Sequence, residues 1–308
     1  MTQNRKKIYL MVASQPFGLQ PKDWLDQTKE LNIIADIEPV LLFKKAGADI
    51  TPELWLKLAK EIYSRLDSAD GFVILHGIDN LLYTASALSF LLQNLSKPII
   101  FTGSQSNPAD TKKLEIRANL INSVQSANYN ITEVCLMFGN RLLRANQASR
   151  SLEESLNVFT APAPSILGRI DFSIRIFEKA ALQNSGKVNF FDKLNDKIEI
   201  IQLGPFLSPK ALAKQVSDKE GIVVNANIYQ TLPEDLIFLL EKITPDMPVV
   251  IWSKKISGAV LAPKNILIIN NLTWETTVTK FMWATAQTKN ISKIKELMAR
   301  DIAGEIIY

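Results

Sequence analysis

The stretch that decides the fold is residues 70–105, which read DGFVILHGIDNLLYTASALSFLLQNLSKPIIFTGSQ. It contains two short apolar runs, residues 71–75 and 98–102, and a longer helical pattern, residues 82–95, between them. Apolar runs without polar alternation that are separated by a helix predict parallel strands buried on both faces of a sheet. The stretch therefore predicts part of a parallel sheet with helices packed against it.

The same alternation continues on both sides of this stretch. Further strand-like runs lie at residues 8–13 and 134–138, and helical patterns lie at residues 52–66 and 114–127. The helix at residues 52–66 is predicted to begin after Thr51 as its N-cap, with a proline in its first position. Together these elements predict a doubly wound α/β domain with a parallel sheet.

A second, smaller α/β domain is predicted in the C-terminal part of the chain. Its strand-like runs and helical patterns alternate again, at residues 198–203, 208–216, 221–225, 233–243, 249–252 and 266–269, and two helices are predicted within residues 276–303. The polar stretch before it breaks the pattern and resembles a connection between domains. We therefore predict an N-terminal domain at residues 1–180, a linker at residues 181–197 and a C-terminal domain at residues 198–308.

Composition limits the classes of function. The chain has 308 residues, of which 47% are hydrophobic, and a net charge of +4 from 35 basic and 31 acidic residues spread along it. Neither a nucleic-acid partner nor a membrane span is expected, because the basic residues form no stripe and no apolar run reaches about 18–20 residues. The apolar run near the N-terminus is too short for a signal peptide and reads better as a strand. We expect a soluble, cytoplasmic protein.

The single cysteine and the single histidine limit the chemistry that this chain can perform. Cys135 is the only cysteine, so no internal disulfide is possible, and its apolar surroundings predict a buried thiol on a strand. His76 is the only histidine, which leaves no credible zinc site and no metal ligand set. No Gly-rich turn follows the first strand, which disfavours dinucleotide binding.

Four segments of the chain carry a family resemblance. They are Lys7-Ile8-Tyr9, the sequence HGIDN at residues 76–80, the tract at residues 131–146 and the tail TWETTVTKFMWATAQ at residues 273–287. These segments resemble the bacterial cytoplasmic (type I) L-asparaginases. The resemblance implies a threonine amidohydrolase that cuts the side-chain amide of asparagine, sometimes glutamine, and releases ammonia without a cofactor. It also implies a homo-oligomer, either a dimer or a tetramer.

Ligands of open parallel sheets bind beyond the carboxyl ends of the strands. At the first strand exit the family carries Thr-Gly-Gly-Thr, whose last threonine is the nucleophile, and this chain places Pro16 at that position. Proline has neither a hydroxyl to attack a carbonyl nor an amide hydrogen to stabilise an oxyanion. Ser14 is the nearest hydroxyl, so it is either a fallback nucleophile or an ordinary turn serine.

The second strand exit replaces another hydroxyl. Where the family has a Thr-Asp pair, this chain has Ile78 and Asp79. The resemblance assigns Asp79 to binding of the substrate's α-amino group, but the same carboxylate could instead cap the helix that begins near Leu81. His76 would be the natural base in histidine chemistry, whereas the resemblance makes it a structural residue at the strand end.

Four further positions complete the implied site. Arg150 takes the place of the family's lysine, and it keeps the charge but stays protonated, so it cannot shuttle a proton. Gly47 and Ala48 lie where the family has a serine that holds the substrate's α-carboxylate. Ser104 follows the strand at residues 98–102 and is a further substrate-binding candidate.

Two functions follow from these substitutions. One is an asparaginase-like protein with a degraded active site, catalytically inactive or very weak, which binds an amino-acid-like small molecule or acts as a regulatory homologue. The alternative is an active amidohydrolase with a rearranged nucleophile, drawn from Ser14, Thr102 or Ser104, working with Asp79 and Arg150. A component of a complex that delivers ammonia to a charged transfer RNA is disfavoured, because such proteins need the missing threonines.

Overall fold

A computed structural model describes most of the chain. The described residues are 5–14, 22, 25–26, 28–105, 113–151, 157–171, 173–184, 186–205, 207, 209–227, 229–243, 245–256 and 263–308. The chain divides into two compact units, Met1–Asp192 and Lys193–Tyr308. The predicted linker at residues 181–197 includes this division, and its Asn189–Phe190 forms a short strand of the first unit.

The first unit is built around one large sheet. Its described strands are β1 (Lys7–Val12), β2 (Asp36–Leu41), β3 (Gly71–Leu75), β4 (Leu92–Gln93), β5 (Ile99–Thr102), β6 (Val134–Phe138), β7 (Arg141–Arg144), β8 (Ser149–Arg150), β9 (Phe159–Thr160), β10 (Ile166–Ile170), β11 (Ile174–Ile176) and β12 (Asn189–Phe190). Eight of these form the sheet in the order β11-β10-β7-β6-β5-β3-β1-β2. Strands β2, β1, β3, β5 and β6 are parallel, and β7, β10 and β11 extend the sheet in antiparallel fashion. The predicted α/β fold is confirmed.

Helices cover this sheet. In the described part of the first unit they are α1 (Leu31–Ile34), α2 (Pro52–Arg65), α3 (Leu81–Leu91) and α4 (Lys113–Ser126). Helix α2 buries one face through Leu54, Leu58 and Ile62, as its helical spacing predicts. Thr51 occupies the N-cap position of α2, but its side chain accepts no capping hydrogen bond. Cys135 is buried in β6, as its apolar neighbours predict.

The strand β2 is one of the elements that the sequence pattern did not predict. Its sequence DIEPVL contains Pro39, which cannot donate a backbone hydrogen bond. In the structure β2 is the outermost strand and pairs only with β1, where Pro39 lies opposite Leu10. A proline is tolerated there because the other side of an edge strand has no partner strand to receive its hydrogen bond.

The second unit contains a four-stranded parallel sheet. Its strands are β13 (Ile198–Gln202), β14 (Gly221–Asn225), β15 (Val249–Trp252) and β16 (Ile266–Ile269), hydrogen-bonded in that order. Its described helices are α5 (Pro209–Gln215), α6 (Glu234–Ile243), α7 (Trp274–Gln287) and α8 (Ile291–Ala299). Across the described parts of both units, the helices are too short or too polar to traverse a bilayer.

A buried ion pair fastens the C-terminal segment to the second unit. The side chains of Lys280 in α7 and Glu305 are both 0% exposed, and they contact each other directly. The Lys280 ammonium also donates to the carbonyl oxygen of Met298 at 3.0 Å. Glu305 accepts from the backbone N–H groups of Ile302 at 3.1 Å and Ala303 at 2.7 Å. The segment after α8 is thus held by charges that no solvent reaches.

Candidate active site

The carboxyl ends of the parallel strands bring the predicted site residues to one edge of the sheet. Ser14 follows β1, residues 76–80 follow β3, and residues 103–105 follow β5. The hydroxyl oxygen of Ser14 accepts a hydrogen bond from the backbone N–H of Gly77 at 2.5 Å. Residues that are 63 positions apart in the sequence therefore touch at this edge.

Glycines allow the main chain to pack closely here. A Cβ atom added at Gly47 would lie 2.7 Å from Cα of Gly77, and one added at Gly103 would lie 2.4 Å from the carbonyl oxygen of His76. Both separations are shorter than any van der Waals contact. The side-chain amide of Asn80 also donates to the carbonyl oxygen of Ala48 at 3.0 Å. The segments at residues 47–48, 76–80 and 103–105 therefore form one tightly packed frame.

We expect the Gly47→Ala substitution to lower the free energy of unfolding by about 1–3 kcal/mol, because the new methyl group meets main-chain atoms that cannot rotate away. Urea unfolding followed by fluorescence measures this change. Ala48→Ser is the control, since it adds one atom to the next residue at an exposed position. Equal stability of the two variants would show that the approach of Gly47 to Gly77 is looser than the structure indicates.

Ser14 is fully buried, and its hydroxyl is already engaged. Its Oγ atom accepts from Gly77, and no carboxylate, lysine amine or imidazole among the described residues lies within hydrogen-bond distance of it. A serine needs a neighbouring base or cation to lose its proton at neutral pH. The contact with Gly77 makes Ser14 a link between β1 and β3. Pro16, predicted at the nucleophile position, lies outside the described residues.

His76 is also fully buried at the end of β3. Its Nδ1 atom lies 2.6 Å from the carbonyl oxygen of Gly77, and its Nε2 atom lies 3.0 Å from the hydroxyl of Thr84. Burial lowers the pKa of His76 from 6.5 to about 4, partly offset by the Gly77 carbonyl and the charge of Asp79. The neutral ring therefore donates from Nδ1 to Gly77 and accepts from Thr84 at Nε2. Both nitrogens hold the strand exit in place.

Asp79 and its neighbour Ile78 carry a charged and an apolar side chain at the exit of β3. The Asp79 side chain is exposed, whereas Ile78 is half-buried. The helix α3 begins at Leu81 with Asn80 as its N-cap residue, and no side chain caps its first turn. The alternative in which Asp79 caps this helix is therefore not what the structure shows. The Asp79 carboxylate is exposed at the sheet edge, with no hydrogen bond to another described residue.

The remaining hydroxyl candidates differ sharply in their partners. Thr102 is fully buried and donates to the carbonyl oxygen of Met137 at 2.9 Å, which joins β5 to β6. Ser104 is half-buried, and its hydroxyl donates to the carboxylate of Glu115 at 2.9 Å. Glu115 lies in the first turn of α4 and also accepts from the backbone N–H of Gln105 at 3.4 Å. Ser104 is thus the candidate hydroxyl with a titratable base beside it.

Arg150 is exposed on β8, which pairs with β9 in a separate two-stranded sheet. Within the described residues, no hydrogen bond or ion pair joins Arg150 to Ser14 or Asp79. The structure thus brings Ser14, Gly47, Ala48, Ile78, Asp79 and Ser104 to one frame, and among the described residues Arg150 makes no hydrogen bond or ion pair with that frame.

Asn119 is a site-forming residue that the sequence did not reveal. It lies buried on α4, where its side-chain amide donates to the carbonyl oxygen of Gly103 at 2.9 Å. Its carbonyl oxygen accepts from the backbone N–H of Gly139 at 3.0 Å. One side chain therefore fixes the exits of β5 and β6 together. The only signal in the sequence was a polar asparagine within the helical pattern at residues 114–127.

The fold and this frame define an α/β protein whose candidate site residues lie at the carboxyl edge of a mostly parallel sheet. The asparaginase N-terminal family model matches residues 6–182. A component of the glutamyl-tRNA(Gln) amidotransferase from Methanosphaera stadtmanae is 31% identical over 92% of this chain and 70% of its own length. L-asparaginase 1 from Escherichia coli K12 is 30% identical over 84% of this chain and 81% of its own length.

Solved structures agree on the architecture. The thermostable L-asparaginase from Thermococcus kodakarensis superposes with a TM-score of 0.86 over 98% of this chain and 99% of its own, at 23% identity. That likeness shows the fold. The match of the family model and the sequence relatives show that this chain belongs to the asparaginase family.

Proposed function

We propose that this asparaginase-family protein binds an amino-acid-like small molecule at the frame around Gly77 and does not hydrolyse asparagine through the family's threonine chemistry. The observation that carries the proposal is the state of the hydroxyls at this edge. Ser14 accepts from Gly77 and Thr102 donates to Met137, so the main chain already uses both. Ile78 contributes only hydrocarbon where the family has a hydroxyl. The proposal requires no cofactor.

The proposed ligand is held by the exposed carboxylate of Asp79, which suits an ammonium group. Gly47 and Ala48 belong to the same frame, where Gly47 packs against Gly77 and Ala48 is exposed beside it. Ile78 makes the floor drier than a threonine would, and a dry floor disfavours a ligand that must hydrogen-bond through its side-chain amide. We therefore propose that asparagine itself is excluded.

We expect no ammonia release above the buffer rate when the purified protein is incubated with millimolar asparagine or glutamine. A family L-asparaginase is the positive control in the same coupled assay. Calorimetry with asparagine accompanies the assay and should show no saturable heat. Turnover, or saturable binding of asparagine, would contradict the proposal. Turnover would favour Ser104, whose hydroxyl lies beside the carboxylate of Glu115.

The hydroxyl of Ser104 supports a second candidate function, an amidohydrolase with a rearranged nucleophile. The contact between Ser104 and Glu115 at 2.9 Å is the observation that favours it. Ser104 Oγ would attack the amide carbonyl carbon while its proton passes to Glu115, and the same proton would leave with ammonia as the C–N bond breaks. A water molecule, deprotonated by Glu115, would then hydrolyse the acyl-enzyme and return the proton to Ser104.

Three variants test the second candidate if ammonia release is detected. Ser104→Ala and Glu115→Gln should each reduce the rate by at least about 100-fold in the rearranged enzyme. Ser64→Ala is the control, because Ser64 is an exposed serine of α2 whose hydroxyl bonds only to nearby helix atoms. Turnover that survives Ser104→Ala would exclude the second candidate as well.

Assembly and location are part of the proposal. We propose a cytoplasmic homo-oligomer, either a dimer or a tetramer, because the chain resembles the type I L-asparaginases along most of its length. The amidotransferase role named for the Methanosphaera relative is less favoured, since it requires release of ammonia. We propose no nucleic-acid partner and no membrane partner, in keeping with a net charge of only +4.

A further inference from the structure

The second unit contains a cleft that the proposed function does not use. Its volume is about 380 Å³, within the range of roughly 300–1,000 Å³ that small-molecule sites occupy. The segments that precede β14 and β15, residues 219–220 and 245–248, form one wall, and residues at the end of α7 and in α8 form the other. The cleft therefore lies at the amino edge of this sheet, away from the carboxyl ends of its strands.

The lining combines an apolar floor with a charged rim. Met247, Pro248 and Ile294 supply the apolar surface, and Ile294 is only 2% exposed. Lys219 and Glu220 supply charges beside it. Pockets of this composition hold the apolar body of a ligand on the floor and fix its orientation through a few polar contacts.

The charges of the rim are unequally satisfied. Glu220 contacts Lys289 directly and lies 3.4 Å from Lys197, and the Lys289 contact lowers the pKa of Glu220. Its carboxylate is therefore already neutralised. The Lys219 ammonium, by contrast, lies 3.6 Å from Glu199 and 3.9 Å from Asp218.

Both Lys219 distances exceed the 2.7–3.2 Å of an ordinary N–H···O hydrogen bond. The ammonium is thus ion-paired with both carboxylates but makes no short hydrogen bond to either, and it can donate one to an anionic ligand group. Asp246 adds a second carboxylate to the rim, but its side chain is exposed, where water and salt screen its charge.

We propose that this cleft is a binding site for a small organic carboxylate, whose charged group contacts Lys219 and whose apolar body lies on Met247, Pro248 and Ile294. The site lies wholly in the second unit and shares no residue with the frame around Gly77. The test of this site is therefore independent of the test of the proposed function.

A titration of the full-length protein with two probe acids and a neutral analogue tests this site. The protein carries ¹³C-methyl methionine, and the probes are phenylacetate, 4-methylpentanoate and the neutral amide phenylacetamide. We expect a saturable shift of the Met247 methyl signal, assigned with Met247→Leu, and no shift of the buried Met11 or Met137 in the first unit. Phenylacetamide should bind at least about tenfold more weakly, because it lacks the charge that Lys219 recognises.

Two lysine variants complete the test. Lys219→Gln should weaken phenylacetate binding by about tenfold and leave phenylacetamide binding unchanged. Lys214→Gln is the control, because Lys214 lies exposed on α5 and does not line the cleft. Absence of saturation by both acids, equal affinity for phenylacetate and its amide, or unchanged binding in Lys219→Gln would each overturn the proposal. Ammonia release plays no part in these outcomes.

Discussion

The Lys280→Met substitution is expected to lower the free energy of unfolding of the second unit by about 3–5 kcal/mol. The side chains of Lys280 and Glu305 are both 0% exposed, so removal of the ammonium leaves a carboxylate buried without its counter-ion. The carbonyl oxygen of Met298 loses its side-chain donor in the same step. Burial acts against the charge of Lys280 and lowers its pKa, while Glu305 opposes that shift.

Urea unfolding followed by tryptophan fluorescence measures this effect, because Trp252, Trp274 and Trp283 all lie in the second unit. Lys293→Met is the matched control, since Lys293 is exposed on α8 and its loss should change stability by less than about 0.5 kcal/mol. The double variant with Glu305→Gln should cost less than the sum of the single changes, because the two groups are in contact. A cost below about 1 kcal/mol for Lys280→Met would show that water reaches the pair.

Much of the fold could be predicted from the sequence because the parallel strands lack polar alternation. Gly71–Leu75, Val134–Phe138, Gly221–Asn225, Val249–Trp252 and Ile266–Ile269 were predicted with the bounds that the structure shows. Each is a short apolar run between turn residues, the pattern expected of a strand buried on both faces. The described helices other than the short α1 were predicted to within a few residues, because their apolar positions recur at helical spacing.

The strands of the large sheet that escaped prediction lie at its two borders. Strand β2 carries Pro39, and that proline is acceptable only because the strand has a partner on one side. The antiparallel extension begins with Arg141–Arg144, whose sequence RLLR has charged residues at both ends. Whether a short segment with charged ends forms a strand depends more on the neighbouring strands than on its own composition.

The candidate site could be predicted in position but not in contacts. The rule that ligands bind at strand exits leads from the sequence to residues 14, 76–79 and 102–104, which do meet at one edge. The contact of Ser104 with Glu115 depends on how α4 is oriented at residue 115, and no local pattern encodes that orientation. The buried link through Asn119 escaped for the same reason.

The low pKa of His76 leads to a second large effect, on stability in mild acid. The unfolded chain takes up a proton on this residue near pH 6.5, whereas the folded protein does so only near pH 4. Between these values the unfolded state binds more protons, so stability is lost as the pH falls from about 6.5 to about 4. The difference between the two pKa values corresponds to about 3 kcal/mol at 1.36 kcal/mol per unit.

The loss of stability in this pH range can be assigned to His76, because it is the only histidine in the chain. Urea midpoints at about pH 7, 6, 5 and 4.5 should fall steeply in the parent protein and more gently in His76→Gln, whose amide does not titrate in this range. Glu38 and Glu220 have lowered pKa values and lose their stabilising pairs in stronger acid, but both proteins contain them, so their effect cancels. Parallel curves for the two proteins would mean that His76 takes up its proton near pH 6.5 in the folded state as well, and an imidazole that titrates there beside Asp79 would reopen acid–base chemistry at this edge.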